Sequence, residues 1–264
     1  MKLKYLLFII IPASFFSCND DPDPGPPPPP TGKIVLEFQH LYHNNPVQFD
    51  TIRYLNAAGN LMMFTEIQWF ISDVTLYFNT GDHYTIDEWK DIHYIDTDIP
   101  STLSWNVLDN IPAGMVDSVT FTFGINEQKN QSFLFVNPPE SLMFWPNILG
   151  GGYHYLKLNG KWIDNLQRVS PFNFHLGIGQ IYDNQGNITG FIQNYFAVNP
   201  AGPSFNIEQG KTTAVNIIMD VDSWFNTPET WDLDFWGGDI MQNQAAMAAA
   251  CVNGRDAFRV SLKY

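Results

Sequence analysis

The stretch Ile67-Gln68-Trp69-Phe70-Ile71-Ser72-Asp73-Val74-Thr75-Leu76-Tyr77-Phe78 decides the fold. Ile67, Trp69 and Ile71, and then Val74, Leu76 and Phe78, recur at alternate positions, which is the period of a β-strand with a buried face. The run stops at Asn79-Thr80-Gly81-Asp82, a turn cluster in which Asn and Gly accept positive φ. The same grammar repeats outward along the chain. Ile34, Leu36, Phe38 and His40 share one face; Val119, Phe121 and Phe123 alternate with Ser118, Thr120 and Thr122; Val215–Met219 and Phe258–Leu262 add later strands. Asn56-Ala57-Ala58-Gly59-Asn60 and Asp183-Asn184-Gln185-Gly186-Asn187 are further hairpin-grade turns. One helix is predicted over Asp239–Val252, with Asp239 as N-cap and Asn253-Gly254 as the stop. Short strands, tight turns and little helix predict an all-β fold, an antiparallel β-sandwich with one short helix near the C-terminus. There is no internal repeat or interdomain linker, so residues 33–264 are read as one domain.

The N-terminal end is of another kind. Lys2 and Lys4 precede the apolar run Tyr5–Phe16, which ends at Ser17-Cys18, the plan of a lipoprotein signal with Cys18 as the lipidated residue. Asn19-Asp20-Asp21-Pro22-Asp23-Pro24-Gly25 and five prolines then form a polyproline tether over 19–32 with nothing apolar to pack. An ordinary cleaved signal is the alternative. No later run approaches the ~20 apolar residues of a membrane span, so the expectation is a protein anchored to the cell envelope through Cys18, and the acidic start of the tether favours the outer membrane. With Cys18 lipidated, Cys251 is the remaining thiol, and stability must come from a core rich in its 21 phenylalanines and 8 tryptophans. The formal charge of −14 argues against a nucleic-acid partner and is compatible with cation binding.

Motifs for hydrolytic or phosphoryl chemistry are missing, and a non-enzymatic protein is expected. Gly150-Gly151-Gly152 lacks the Lys-Ser/Thr of a phosphate loop and reads as a close-approach turn. Asp220/Asp222 and Asp232/Asp234 could serve glycoside hydrolysis, although paired carboxylates beside Trp224 and Trp231 are more often loop-edge solvation. The segment Met143-Phe144-Trp145-Pro146-Asn147-Ile148-Leu149-Gly150-Gly151-Gly152-Tyr153-His154-Tyr155-Leu156-Lys157-Leu158 has the look of a built site. Alternation there puts His154 on the face of Leu156 and Leu158, pointing to a core. His175 stands in a similar setting in Phe172-Asn173-Phe174-His175-Leu176-Gly177, His40 points inward, and His93 lies in Asp91-Ile92-His93-Tyr94-Ile95-Asp96, whereas His43 and His83 fall among turn residues. Imidazole nitrogen and thioether sulfur suit copper, which makes Met143 a possible soft ligand. The competing structural reading is satisfied core histidines and a gap-filling methionine.

Several segments in order resemble the MbnP-like family, periplasmic or lipid-anchored relatives of the copper-binding partner of methanobactin systems. They are Tyr54–Asn60 followed by Ile67–Leu76, Met143-Phe144-Trp145 leading to Gly152–Gly160, Phe174-His175-Leu176-Gly177, and Val221–Phe225 with Trp231-Asp232. The resemblance implies a β-sandwich holding one copper ion through histidines, with His154 and His175 as the matching ligands and His40, His93 and Met143 in reserve. It also implies that Trp145 matches a tryptophan that a MauG-like diheme peroxidase partner oxidises to kynurenine in some members. Here Pro146-Asn147-Ile148-Leu149 stands where many relatives carry a second tryptophan. The competing functional reading is a glycan- or surface-ligand-binding lipoprotein using Trp224, Trp231 and Trp236 as aromatic platforms.

Overall fold

The structure is a computed structural model that describes residues 28–87 and 91–262; Cys18 and residues 19–27 of the tether lie outside them. The first half contributes β1 (Thr31–Tyr42), β2 (Asn45–Pro46), β3 (Tyr54–Leu55), β4 (Leu61–Phe78), β5 (His83–Thr85), β6 (Ile92–Asp96), β7 (Ser104–Asn106), β8 (Ile111–Pro112) and β9 (Gly114–Phe123). The second half contributes β10 (Leu156–Ile163), β11 (Val169–Leu176), β12 (Gly179–Tyr182), β13 (Ile188–Ile192), β14 (Phe196–Val198), β15 (Phe205–Ile207), β16 (Thr212–Asp220) and β17 (Phe258–Leu262).

Two sheets form the sandwich. The larger runs β11-β10-β4-β9-β14, with β3, β5 and β6 also paired to β4 and β15 to β9. The smaller runs β17-β16-β1-β2, with β7 and β8 against β1; β12 and β13 make a separate hairpin. The sheets are not wholly antiparallel as expected, because β1 and β16 pair in parallel from Lys33↔Thr212 to Leu41↔Asp220. Nothing in the alternation of either strand encodes direction. The inner faces meet through Trp69, whose ring lies edge-on to Phe38 at 5.8 Å and tilted against Phe258 at 5.4 Å. Such a fully buried tryptophan contributes about 3–5 kcal/mol relative to alanine.

The slip of phase between Ile71 and Val74 has a structural cause. The ladder of β4 with β9 breaks between Ser72 and Thr75, and Asp73 there takes φ 54. Asn126 Nδ2 donates to its carboxylate at 2.9 Å and Lys129 pairs with it. Ile71 and Val74 both end up fully buried.

Three expectations change. The domain begins earlier than residue 33, since Thr31 and Gly32 pair with Pro112 and Ile111 and Ala113 N donates to Pro30 O at 2.9 Å. The C-terminal helix is α3 (Gln244–Gly254), next to two one-turn helices, α1 (Ser223–Asn226) and α2 (Leu233–Trp236). Asp239 spends its carboxylate on Met241 N at 3.1 Å, and Asn243 is the residue that caps α3, accepting from Ala246 N at 3.1 Å. Finally, Trp224 and Trp231 are at most 1% exposed, so they are core residues and cannot serve as aromatic platforms; Trp236 is half-buried and stacks on Trp231 at 5.3 Å. Among the described residues no helix is long and apolar enough to cross a membrane.

Candidate metal centre

The outer face of the larger sheet, away from the smaller one, carries the site. Register sets Lys157 opposite both His175 and Gln68, and Gln68 opposite Asp96, so one polar row crosses β11, β10, β4 and β6. The alternate positions Leu156, Leu158, Phe174 and Leu176 are buried on the inner face. A long loop crosses this outer face, and Phe70, Tyr94, Phe135 and Tyr153 pack beneath it with ring centroids 4.9–6.2 Å apart.

That loop delivers His154. Gly150, Gly151 and Gly152 all take positive φ, and a Cβ on Gly151 or Gly152 would lie 2.6 Å from Ser132 Oγ or 2.5 Å from Asn130 Oδ1. The run is therefore a close-approach turn that non-glycine residues cannot make. The chain then forms the bridge Phe144↔Tyr153, and His154 N donates to Met143 O at 2.7 Å. Pairing with β11 is regular only from Leu156 onward. Position 154 thus escapes the alternation that would put it with Leu156 and Leu158: its ring lies on the His175 side, with centroids 5.1 Å apart and planes at 89°.

Each imidazole has one nitrogen fixed by a partner. His154 Nδ1 is 2.8 Å from the Met143 carbonyl, which can only accept, so Nδ1 carries the proton and Nε2 keeps its lone pair. His175 Nε2 is 2.8 Å from Asn159 Oδ1, which leaves the lone pair on Nδ1 when that oxygen accepts. Both rings are held neutral. Burial lowers the His154 pKa to about 3, aided by the electrostatic cost of a second cation beside His175 and Lys157 and opposed by backbone hydrogen bonds at Met143 and Phe144; burial, then Lys157, lowers His175 to about 4. Two neutral imidazoles with outer nitrogens tied down are the donor chemistry of a transition-metal site. The chemistry of this donor pair is of the kind that suits a copper ion.

Trp145 stands beside them, fully buried, its ring edge-on to His154 at 4.7 Å with the planes at 75°. Its Nε1 donates to Leu149 O at 3.1 Å, and a Cβ at Gly177 would come within 2.5 Å of the indole. Met143 is fully buried and offers His154 its carbonyl.

The other two reserve residues are elsewhere. His40 accepts from Trp69 Nε1 through Nε2 at 2.9 Å, inside the sandwich, which occupies that lone pair. His93, paired with Ile71, stacks between Phe38 at 5.2 Å and Trp105 at 5.0 Å on the inner side of the sheet, with Nε2 donating to Thr102 O at 2.9 Å. Neither shares a face with His154 and His175. The acidic pairs also have structural employment: Asp220 binds Arg259, Asp222 binds His43, Asp232 caps α2 through Asp234 N, and Asp234 accepts from Trp162 Nε1.

Sequence reading missed the carboxylates at the far end of the polar row. Glu66, Asp96 and Asp98 bring oxygens within 4.8 Å of one another. Burial raises the Glu66 pKa, and of the secondary influences a hydrogen bond from Asn159 opposes the rise while Asp96 and Asp98 add to it. Asp96-Thr97-Asp98 was visible in the chain, but only the pairing of β4 with β6 brings it to Glu66.

The MbnP family model matches residues 31–243. The chain belongs to the MbnP family. The match starts with β1 and ends at the cap of α3, taking in the whole larger sheet, the smaller sheet except β17, and the histidine pair with its surroundings. The solved structure of MbnP from Methylosinus trichosporium is similar over 89% of this chain and 99% of its own, with a TM-score of 0.57 and 16% identity, which shows a shared MbnP fold. None of the curated proteins matches the chain.

Proposed function

We propose that the protein is a non-enzymatic, cell-envelope copper-binding lipoprotein of a methanobactin-related system, holding its ion through His154 Nε2 and His175 Nδ1. The observation that carries the reading is the perpendicular pair of neutral imidazoles, each with its other nitrogen engaged, beside the glycine turn at Gly150–Gly152. Copper bound there would find nitrogen donors of the type it prefers. The protein's own contribution is to keep both rings unprotonated, through burial and the neighbouring Lys157 charge, and to aim them by hydrogen bonds from behind.

Membership of the family also supports oxidation of Trp145 to kynurenine by a MauG-like diheme peroxidase. Since Trp145 is fully buried, such a partner would oxidise it through the protein and not by direct contact. Attachment through Cys18 at the outer membrane rests on the signal-like N-terminus.

The test is copper content and affinity of protein purified with and without His154→Ala and His175→Ala. One equivalent of copper in the parent and none held tightly by either variant is expected. Equal binding by parent and variants would refute the site. Peptide mass spectrometry of Trp145 from the native host, where kynurenine shows as loss of one carbon and gain of one oxygen, tests the modification separately.

A further inference from the structure

His175 sits at the end of a chain of side chains that has no part in the sandwich core. Asn159 is the register partner of Glu66 on β4 and lies diagonally next to His175, on the same sheet face. Glu66 Oε2 accepts from Asn159 Nδ2 at 3.0 Å, and Glu66 Oε1 accepts from Gln68 Nε2 at 2.8 Å. Gln68 Nε2 also donates to Asp96 Oδ2 at 3.0 Å, and Tyr94 donates its hydroxyl proton to that same oxygen at 2.7 Å.

An amide has one donor end and one acceptor end. A carboxylate on one side of Asn159 claims the NH₂, so the carbonyl must face the other way, toward His175 Nε2. An accepting oxygen there holds the imidazole proton on Nε2 and leaves Nδ1 bare. We propose that Glu66 and Asn159 form a carboxylate–amide–imidazole relay that sets the tautomer of His175, with Asn159 as a positioning residue for the metal ligand. This deepens the copper reading and rests on it for the role of Nδ1. The residues of such a relay tune affinity without touching the ion; replacing outer partners of ligating histidines weakens metal binding about 10–100-fold.

The decisive variant is Glu66→Lys, which puts a donor where the acceptor stood. Asn159 should turn over, present its NH₂ to His175 Nε2, and drive the proton to Nδ1. Proton–nitrogen correlation spectra of the metal-free, folded protein read this directly: His175 is expected as the Nε2–H form in the parent and as the Nδ1–H form in Glu66→Lys. In an Asn159→Leu background the same Glu66→Lys change should leave the tautomer alone. Glu66→Gln, a milder change, should give a mixture and serves if the lysine variant does not fold. Copper affinity should fall about 10–100-fold in Glu66→Lys. A His175 that stays Nε2–H in Glu66→Lys and Glu66→Gln overturns the relay while leaving the copper site standing. A tautomer that inverts with no change in copper affinity overturns His175 Nδ1 as a ligand.

Discussion

His40 gives the sharpest test of how the sandwich interior was put together. It is 8% exposed, and burial holds its pKa down at about 4 against the ordinary 6.5. The ring also accepts from Trp69 Nε1 through Nε2, a bond that a protonated Nε2 would break. With a folded pKa below the unfolded one, the unfolded chain binds more protons in the interval between them. Stability is therefore complete above about pH 6.5, falls as the pH drops toward 4, and loses nothing further below. From this shift the loss through His40 alone is about 2 kcal/mol at pH 5. His40→Leu removes the titrating group but orphans the buried Trp69 N–H, which costs about 1–3 kcal/mol at pH 7. The other buried histidines titrate alike in both proteins and cancel in the difference. Urea unfolding followed by tryptophan fluorescence at pH 7 and pH 5 should show the parent ahead at pH 7 and that lead shrinking by about 2 kcal/mol at pH 5. A lead of the same size at both pH values would refute the argument that His40 is held neutral by burial.

Other expectations follow from single contacts. Gly177→Ala drives a methyl into the Trp145 indole; it should cost about 1–3 kcal/mol by overpacking and weaken copper binding by moving the ring that backs His154, and unchanged thermal unfolding would disprove the close approach. Trp231→Ala should cost about 3–5 kcal/mol as a core truncation, measured by chemical denaturation, and a variant as stable as the parent would contradict its burial. Deleting Pro26–Pro29 should leave unfolding unchanged, because the tether has no apolar side chain to bury; a lowered urea midpoint would refute a passive tether. Cys18→Ala should move the protein from membrane to soluble fractions of its host; retention after carbonate washing would refute lipid attachment.

Much of the architecture was legible because strand alternation is a local property. Ile34 to His40 in β1, the hairpin turns at 56–60, 79–82 and 183–187, and the bounds of β17 all follow from which neighbours are apolar and which can take positive φ. Where local rules had two candidates, the fold chose. Asp239 and Asn243 both cap helices well in principle, and the turn through Ile240 gave the role to Asn243. Trp224 and Trp231 look the same on paper whether they face water or a core; only the packing of α1 and of the segment before α2 against β11 shows that they are inside, with Phe174 4.8 Å from Trp231 and 5.9 Å from Trp224.

The candidate site divides along the same line. Resemblance to the family marked His154 and His175 as the pair to examine and Trp145 beside them, while the glycine run read as a turn because only glycine accepts such backbone angles freely. Sequence by itself could not place His154 on the outer face, since two residues of irregular pairing before Leu156 undo the alternation. Nor could it separate His40 and His93 from the pair, because facing inward is shared by both sides of a strand buried on two faces. Glu66, Asn159 and His175 are distant in the chain and meet only through the registers of β4, β10 and β11. Register is a property of paired strands and is written in no single one of them; the tertiary structure alone decided which nitrogen of His175 is free.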